Sequence, residues 1–346
     1  MKQVVVTAPH TFEIQEVPIP VPTAGEVLIK MKAASVCGSD YHNFLGENPQ
    51  LTYPRILGHE NAGIIEAVGL GVTKLKEGDH VVVDIVIACG TCPQCKSGRR
   101  NICKTVKARG SAIDGGWREY FCVPEHEVFV IPDEIPFEDA ALVEPFAIGE
   151  HTTKRAAVKA DDVVLVFGTG TIGAIILQAC KEKKARVICA DIDDRLLNRA
   201  LQYGADFVIN TKKEDLVGKI QKITNGNGVD VIFDAACFPG SLTMIMQPGV
   251  PTNGARIMPL GFCNIPEKVT QAMINGRELT LIGSRMSADQ FEPTIKKFCE
   301  GKVNLKGMVS HYISFGNIGE VFHMIEHPPS DLRKMVILFD QEERGT

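Results

Sequence analysis

Apolar positions along the chain fall into two regimes that meet near residue 150. Before that point the apolar stretches are short, alternating or β-branched: Val27–Met31, Ala62–Val68, His80–Ile85 and Glu127–Ile131. Turn signals such as Thr23-Ala24-Gly25 and Lys76-Glu77-Gly78-Asp79 separate them, and most of the prolines lie in this part. Alternation with a period of two, punctuated by Gly, Pro and Asp, predicts half-buried strands in an irregular, strand-rich domain.

From residue 161 the pattern becomes strand, helix, strand at regular intervals. The expected strands are Val163–Phe167, Arg186–Asp191, Phe207–Asn210, Val229–Asp234, Ala255–Gly261 and Leu279–Gly283. Between the first two, Ile172, Ile175, Ile176, Ala179 and Cys180 recur at helical spacing, so a helix crosses over there. Six strands alternating with helices predict a doubly wound parallel sheet, which makes the chain an α/β protein. A further helix over Ala288–Glu300 and a strand over Met335–Phe339 follow.

Composition narrows the picture. At about 150 residues per domain, 346 residues make two domains. A content of 45% hydrophobic and 23% charged residues is that of a globular protein, and a net charge of −5 argues against nucleic acid or an anionic membrane as partner. Apolar stretches such as Val163–Phe167 and Ala174–Leu177 fall far short of the ~18 residues of a membrane span. After Met1-Lys2-Gln3, the run Val4–Val6 is too short for a signal-peptide core, so the expected compartment is the cytoplasm. Thiols stay reduced there, and eleven cysteines call for a reason other than disulfides. Cys122, Cys180, Cys189, Cys237, Cys263 and Cys299 read as small buried hydrophobes.

Two motifs carry chemistry. Gly168-Thr169-Gly170-Thr171-Ile172-Gly173 is a G-x-G-x-x-G directly after a strand and opening a helix. Its glycines allow a tight turn, close approach of backbone to a pyrophosphate and close packing of helix on strand; the helix N-terminus offers free N–H groups to phosphate. Asp191, ending the next strand, is placed to accept hydrogen bonds from an adenosine ribose and would repel a 2′-phosphate. NAD is therefore expected over NADP, although Arg195 and Arg199 on the following helix pull the other way. The second motif is Cys89, Cys92, Cys95 and Cys103, spaced C-x2-C-x2-C-x7-C in a polar loop. Four thiolates close a tetrahedron around Zn²⁺ and leave no open position, which describes a structural site.

Cys37, His59-Glu60 and Glu144 are dispersed, and each alone has an ordinary structural reading. Together they supply sulfur, nitrogen and oxygen, the donors of a catalytic zinc with an exchangeable position.

With these motifs in hand, the chain resembles the zinc-dependent medium-chain dehydrogenases. Gly58-His59-Glu60-Asn61-Ala62-Gly63, followed by Gly69 and Val72, is similar to that family's zinc signature. Cys37-Gly38-Ser39-Asp40 with His42, the Cys89–Cys103 lobe, Asp114-Gly115-Gly116, Glu144-Pro145 and the Gly168–Gly173 turn occur in the family's order. The resemblance implies a GroES-like catalytic domain (1–150 and 285–346) around a Rossmann dinucleotide domain (151–284). It further implies a homodimer or homotetramer with NAD and two Zn²⁺ per subunit.

The catalytic zinc would rest on Cys37, His59 and either Glu60 or Glu144. Ser39 and His42 would relay the alcohol proton, and Asp40 would steady the zinc-bound histidine. Gly38 stands where alcohol dehydrogenases carry an arginine against the pyrophosphate, and Arg285 is placed to supply that charge. Within the family, the likeness is greatest to the polyol and sugar-acid branch. It implies oxidation of a secondary alcohol such as the C5 hydroxyl of gulonate, galactonate or idonate, with threonine or simple polyols as alternatives. A zinc-ribbon interaction protein without catalysis is the reading from another class. Trp117, after Gly115-Gly116, reads equally as a wall of the substrate site or as core, and Arg118 as an exposed salt-bridge partner.

Overall fold

The structure, a computed structural model, describes residues 1–262 and 264–339; Cys263 lies outside them. The chain forms two compact units, one of Met1–Ala147 with the segment from Ala288 onward, the other of Ile148–Ser287. The joins fall within three residues of the expected boundaries at 150 and 285. At the first, the helix Val143–Arg155 runs through without a break, so the change of apolar pattern near residue 150 is not accompanied by a loop.

The first unit is built on a seven-stranded sheet. Its strand order is His311–Ser314, Met335–Leu338, Glu26–Ser35, Glu60–Val68, His80–Val83, Val128–Val130, with Tyr120–Pro124 also paired to Glu26–Ser35. The chain's last described strand thus lies beside its long third strand, with Val336 opposite Ser35 and Ser35 in turn opposite Glu60. Alternating apolar residues of these strands (Val27, Ile29, Met31, Ile65, Val81, Val83) meet Trp117, Phe121 and Phe322 in one core. Trp117 is fully buried there, which decides its reading as core. Arg118 is half-buried and lies over the Phe121 ring at 5.3 Å, not in an exposed ion pair; burial draws its guanidinium down to about 10.

The second unit holds a six-stranded parallel sheet ordered Phe207–Asn210, Arg186–Asp191, Val163–Phe167, Val229–Asp234, Pro251–Pro259, Thr280–Leu281. This is the doubly wound order 3-2-1-4-5-6, which brings the ends of the first and fourth strands to the switch point where dinucleotides bind. The fold is therefore a GroES-like strand-rich domain with a Rossmann domain. Three expected elements are trimmed, the sixth strand to Thr280–Leu281, the helix after it to Phe291–Cys299 and the last strand to Met335–Leu338, and the fifth strand lies earlier in the chain, at Pro251–Pro259. Cys180 and Cys189 are buried as expected, but Cys122 is only half-buried, and Cys237 and Cys299 are exposed. Cys237 lies in the loop after Val229–Asp234 and Cys299 ends its helix, and local apolar neighbours do not report that. Among the described residues, no helix is long and apolar enough to cross a membrane.

Candidate metal centres and dinucleotide loop

The loop after Val86–Ile87 folds the four cysteines onto one another. Cys92 Sγ lies 3.5 Å from Cys95 Sγ and 3.8 Å from Cys103 Sγ, and Cys103 Sγ lies 3.5 Å from Cys89 Sγ. Sulfur atoms about 2.3 Å from a common ion are separated by roughly 3.8 Å, so the set suits a tetrahedral structural zinc. Hydrogen bonds from the Thr91 hydroxyl and from the backbone pull Cys89 down to about 5, favouring the thiolate a metal requires. The one-turn helix Pro93–Lys96 and the turn Arg100–Ile102 shape the lobe, and Arg100 anchors it to buried Asp84.

The second donor set gathers Cys37, His59 and Glu60, whose ligand atoms lie within 4.8 Å of one another. Cys37 caps the short helix Gly38–Phe44, and His59 and Glu60 open the strand Glu60–Val68. Asp40, fully buried, ties the two segments. Its Oδ2 accepts from Cys37 N at 3.0 Å, and its Oδ1 accepts from Gly58 N at 3.3 Å and stands 3.5 Å from His59 Nδ1. Burial pulls the His59 imidazole down, but Asp40 and Cys37 outweigh it and hold it well above the usual histidine value. So electronegative a surrounding for a buried imidazole fits a site made for a cation. Glu144 is buried on its own helix, outside the three-residue donor set. Burial pushes its carboxyl up to about 7; His59 and Lys334 oppose the rise, while Glu60 and Asp40 add to it.

Lys334 was not foreseen. Its ammonium is buried against Glu60 Oε2, which the Ser35 hydroxyl also contacts. A lysine before an apolar strand looks like any surface lysine in the sequence, and only strand pairing brings it here. Ser39 and His42 sit one turn apart on the exposed side of the helix Gly38–Phe44, and His42 Nδ1 pairs with Glu47 at 2.6 Å.

In the second unit, Gly168 adopts φ +91°, and a β-carbon on Gly173 would fall 1.9 Å from Gly168 O, so the turn and its close packing demand these glycines. A β-carbon on Gly170 would meet nothing within 4 Å: the space above the turn is open. Thr171 and Ile172 begin the helix Thr171–Glu182, whose N-terminus has no side-chain cap. Open space at uncapped N–H groups is the cradle a pyrophosphate fills. Asp191 Oδ2 accepts from Thr169 N at 2.7 Å and Thr169 Oγ1 at 2.9 Å, bracing the turn from the next strand. Arg195 folds back onto Asp193 at 2.6 Å, and Arg285 lies exposed after Thr280–Leu281.

Comparison with known proteins identifies the family. The alcohol dehydrogenase GroES-like domain matches residues 23–133 and the zinc-binding dehydrogenase domain residues 171–300. Starvation-sensing protein RspB of Escherichia coli K12 is 36% identical, covering 99% of this chain and 100% of that protein. L-galactonate-5-dehydrogenase of the same strain is 31% identical over 93% and 94% of the two chains. A crystal structure of the RspB alcohol dehydrogenase from E. coli CFT073, complexed with NADH, superposes with a TM-score of 0.92 at 35% identity, covering 98% of this chain and 99% of that one. The chain belongs to the zinc-type medium-chain alcohol dehydrogenase family.

Proposed function

We propose that the chain is an NAD-dependent zinc dehydrogenase oxidising a secondary alcohol of a sugar acid or polyol, of the C5-hydroxy aldonate kind, as a cytoplasmic homodimer or homotetramer. The observation that carries the reading is the mixed sulfur, nitrogen and oxygen donor set of Cys37, His59 and Glu60. Three protein donors of this kind leave a position for substrate, unlike the closed cysteine lobe. The likeness to L-galactonate-5-dehydrogenase supports the substrate class.

When bound, zinc would supply the Lewis acidity that lets a secondary alcohol ionise near neutral pH, and NAD would supply a hydride acceptor. Cys37 Sγ, a His59 ring nitrogen and one Glu60 oxygen would hold the metal, with Asp40 fixing the imidazole. Ser39 Oγ takes the alcohol proton as its own hydroxyl proton moves on, by way of the cofactor ribose, to His42, which is steadied at Nδ1 by Glu47 and releases a proton to solvent. In the second unit, the uncapped helix N-terminus at Gly170–Thr171 receives the pyrophosphate and Asp191 the adenosine ribose, with Arg195 and Arg285 as additional cofactor contacts.

A screen following NADH absorbance, with metal content measured on the same sample, tests the reading. The panel holds aldonates, polyols, threonine and simple alcohols, each with NAD and NADP. Turnover of a C5-hydroxy aldonate by protein holding two zincs is the expected result. Two zincs and NAD binding without turnover of any aldonate or polyol would discard the substrate class.

A further inference from the structure

The buried lysine beside the donor set has no part in the mechanism above. Lys334 precedes the strand Met335–Leu338, and its own carbonyl is held by Ser310 N at 2.9 Å, so its backbone is anchored. Val336, Ser35 and Glu60 are opposite one another across three adjacent strands. Side chains alternate along a strand, so Lys334, two residues before Val336, projects to the same face as Ser35 and Glu60. Its ammonium contacts Glu60 Oε2, and the Ser35 hydroxyl meets the same oxygen. Lys334 is 4% exposed and Glu60 1%, so water cannot take over either charge. A cation is seldom buried so deeply without a partner of matching charge, and Glu60 Oε2 is the partner the structure provides.

We propose that Lys334 is a positioning residue for the metal site: it occupies Oε2 of Glu60, so that the carboxylate presents only Oε1 beside Cys37 and His59. A carboxylate next to a divalent cation readily turns both oxygens to it, and two-oxygen ligation would fill the position a substrate hydroxyl needs. Ser35 alone offers a neutral hydrogen bond, which does not hold an oxygen against a divalent charge; the lysine ammonium does. The C-terminal strand thereby helps to keep one position of the metal open. This inference rests on the proposed zinc-dehydrogenase reading.

The test uses the full-length chain loaded with cobalt(II) in place of zinc, with Lys334→Met, Lys334→Arg and Ser35→Ala beside the parent protein. Four-coordinate cobalt absorbs visible light more strongly than five-coordinate cobalt. Lys334→Met is expected to lose roughly two-thirds of the visible absorption of the non-lobe site as Oε2 turns to the metal. Release of that metal to a chelator is expected to slow by roughly tenfold. Lys334→Arg keeps a cation in reach of Oε2 and is expected to restore the parent spectrum, and Ser35→Ala to shift it only slightly. The lobe metal at Cys89, Cys92, Cys95 and Cys103 reports folding in every variant. Should Lys334→Met not fold, Lys334→Ser, polar and too short to reach Glu60, must show the same spectral loss.

A parent protein holding two metals, with Lys334→Met or Lys334→Ser matching its spectrum and release rate, overturns the role of Lys334 and leaves the dehydrogenase reading intact. A parent protein holding metal only in the cysteine lobe overturns both.

Discussion

Gly58 stands close against the indole of Trp117: a β-carbon there would lie 2.1 Å from Trp117 Cδ1, on a backbone held at φ +89°. Trp117 is fully buried and cannot retreat. The residue before His59 is therefore glycine for two independent reasons, a left-handed backbone and an aromatic wall. Gly58→Ala is expected to cost about 3 kcal/mol of stability through strain and overpacking. It should also displace His59, so thermal melting with zinc analysis should show a lower melting temperature and loss of one of two zincs. A variant that melts like the parent and keeps both would contradict this account.

The cysteine lobe makes a separate prediction. Cys92 Sγ has two sulfur neighbours within 3.8 Å, so Cys92→Ser removes a donor from the middle of the set. Such a protein should hold one zinc fewer and unfold at lower temperature, because metal binding and folding of so polar a loop are one event. Limited proteolysis should cut first within residues 89–103.

For the proton path, Ser39→Ala is expected to lower kcat by about 10²-fold while leaving metal content and NAD affinity unchanged. Steady-state kinetics beside metal analysis separate this from a folding defect. Equal kcat values in the two proteins would remove Ser39 from the mechanism.

Asp191 braces the glycine turn through Thr169, and the proposed function also assigns it the adenosine ribose. Asp191→Ala should accordingly raise KM for NAD by an order of magnitude or more, on the scale of a lost charge-assisted hydrogen bond at about 1.5–3 kcal/mol. Zinc content, set in the other unit, should stay at two. Fluorescence titration of NADH gives the direct reading.

Asp206 carries a pH prediction. Burial raises its carboxyl, but the Lys181 ammonium at 2.7 Å and the Val187 N–H outweigh that and hold it below the ordinary value. A carboxyl lower in the folded than in the unfolded chain stabilises above its unfolded value of about 3.9 and loses that stabilisation as pH falls through the folded value. Asp206→Asn should therefore melt below the parent at pH 7, and the gap should close as pH drops below about 4. A gap independent of pH would show that the charge contributes nothing.

Much of this protein was determined by local pattern. The first four strands of the second unit's sheet in chain order, the glycine turn and the cysteine lobe are legible because each is specified by neighbours a few residues apart: alternation, a helical period, a loop whose donors are closely spaced. The pairing of Cys37 with His59 was readable only through the resemblance that joins their two separate motifs, since their separation along the chain says nothing about distance. What the tertiary structure alone decided lies at long range. Strand pairing sets Ser35 opposite Glu60 and carries Lys334, nearly three hundred residues further on, to the same carboxylate. Packing made Trp117 core and left Cys237 and Cys299 exposed. A side chain's polarity is written in its own residue, but what it faces depends on which strand comes to lie beside it, and that is settled by the register of the whole sheet.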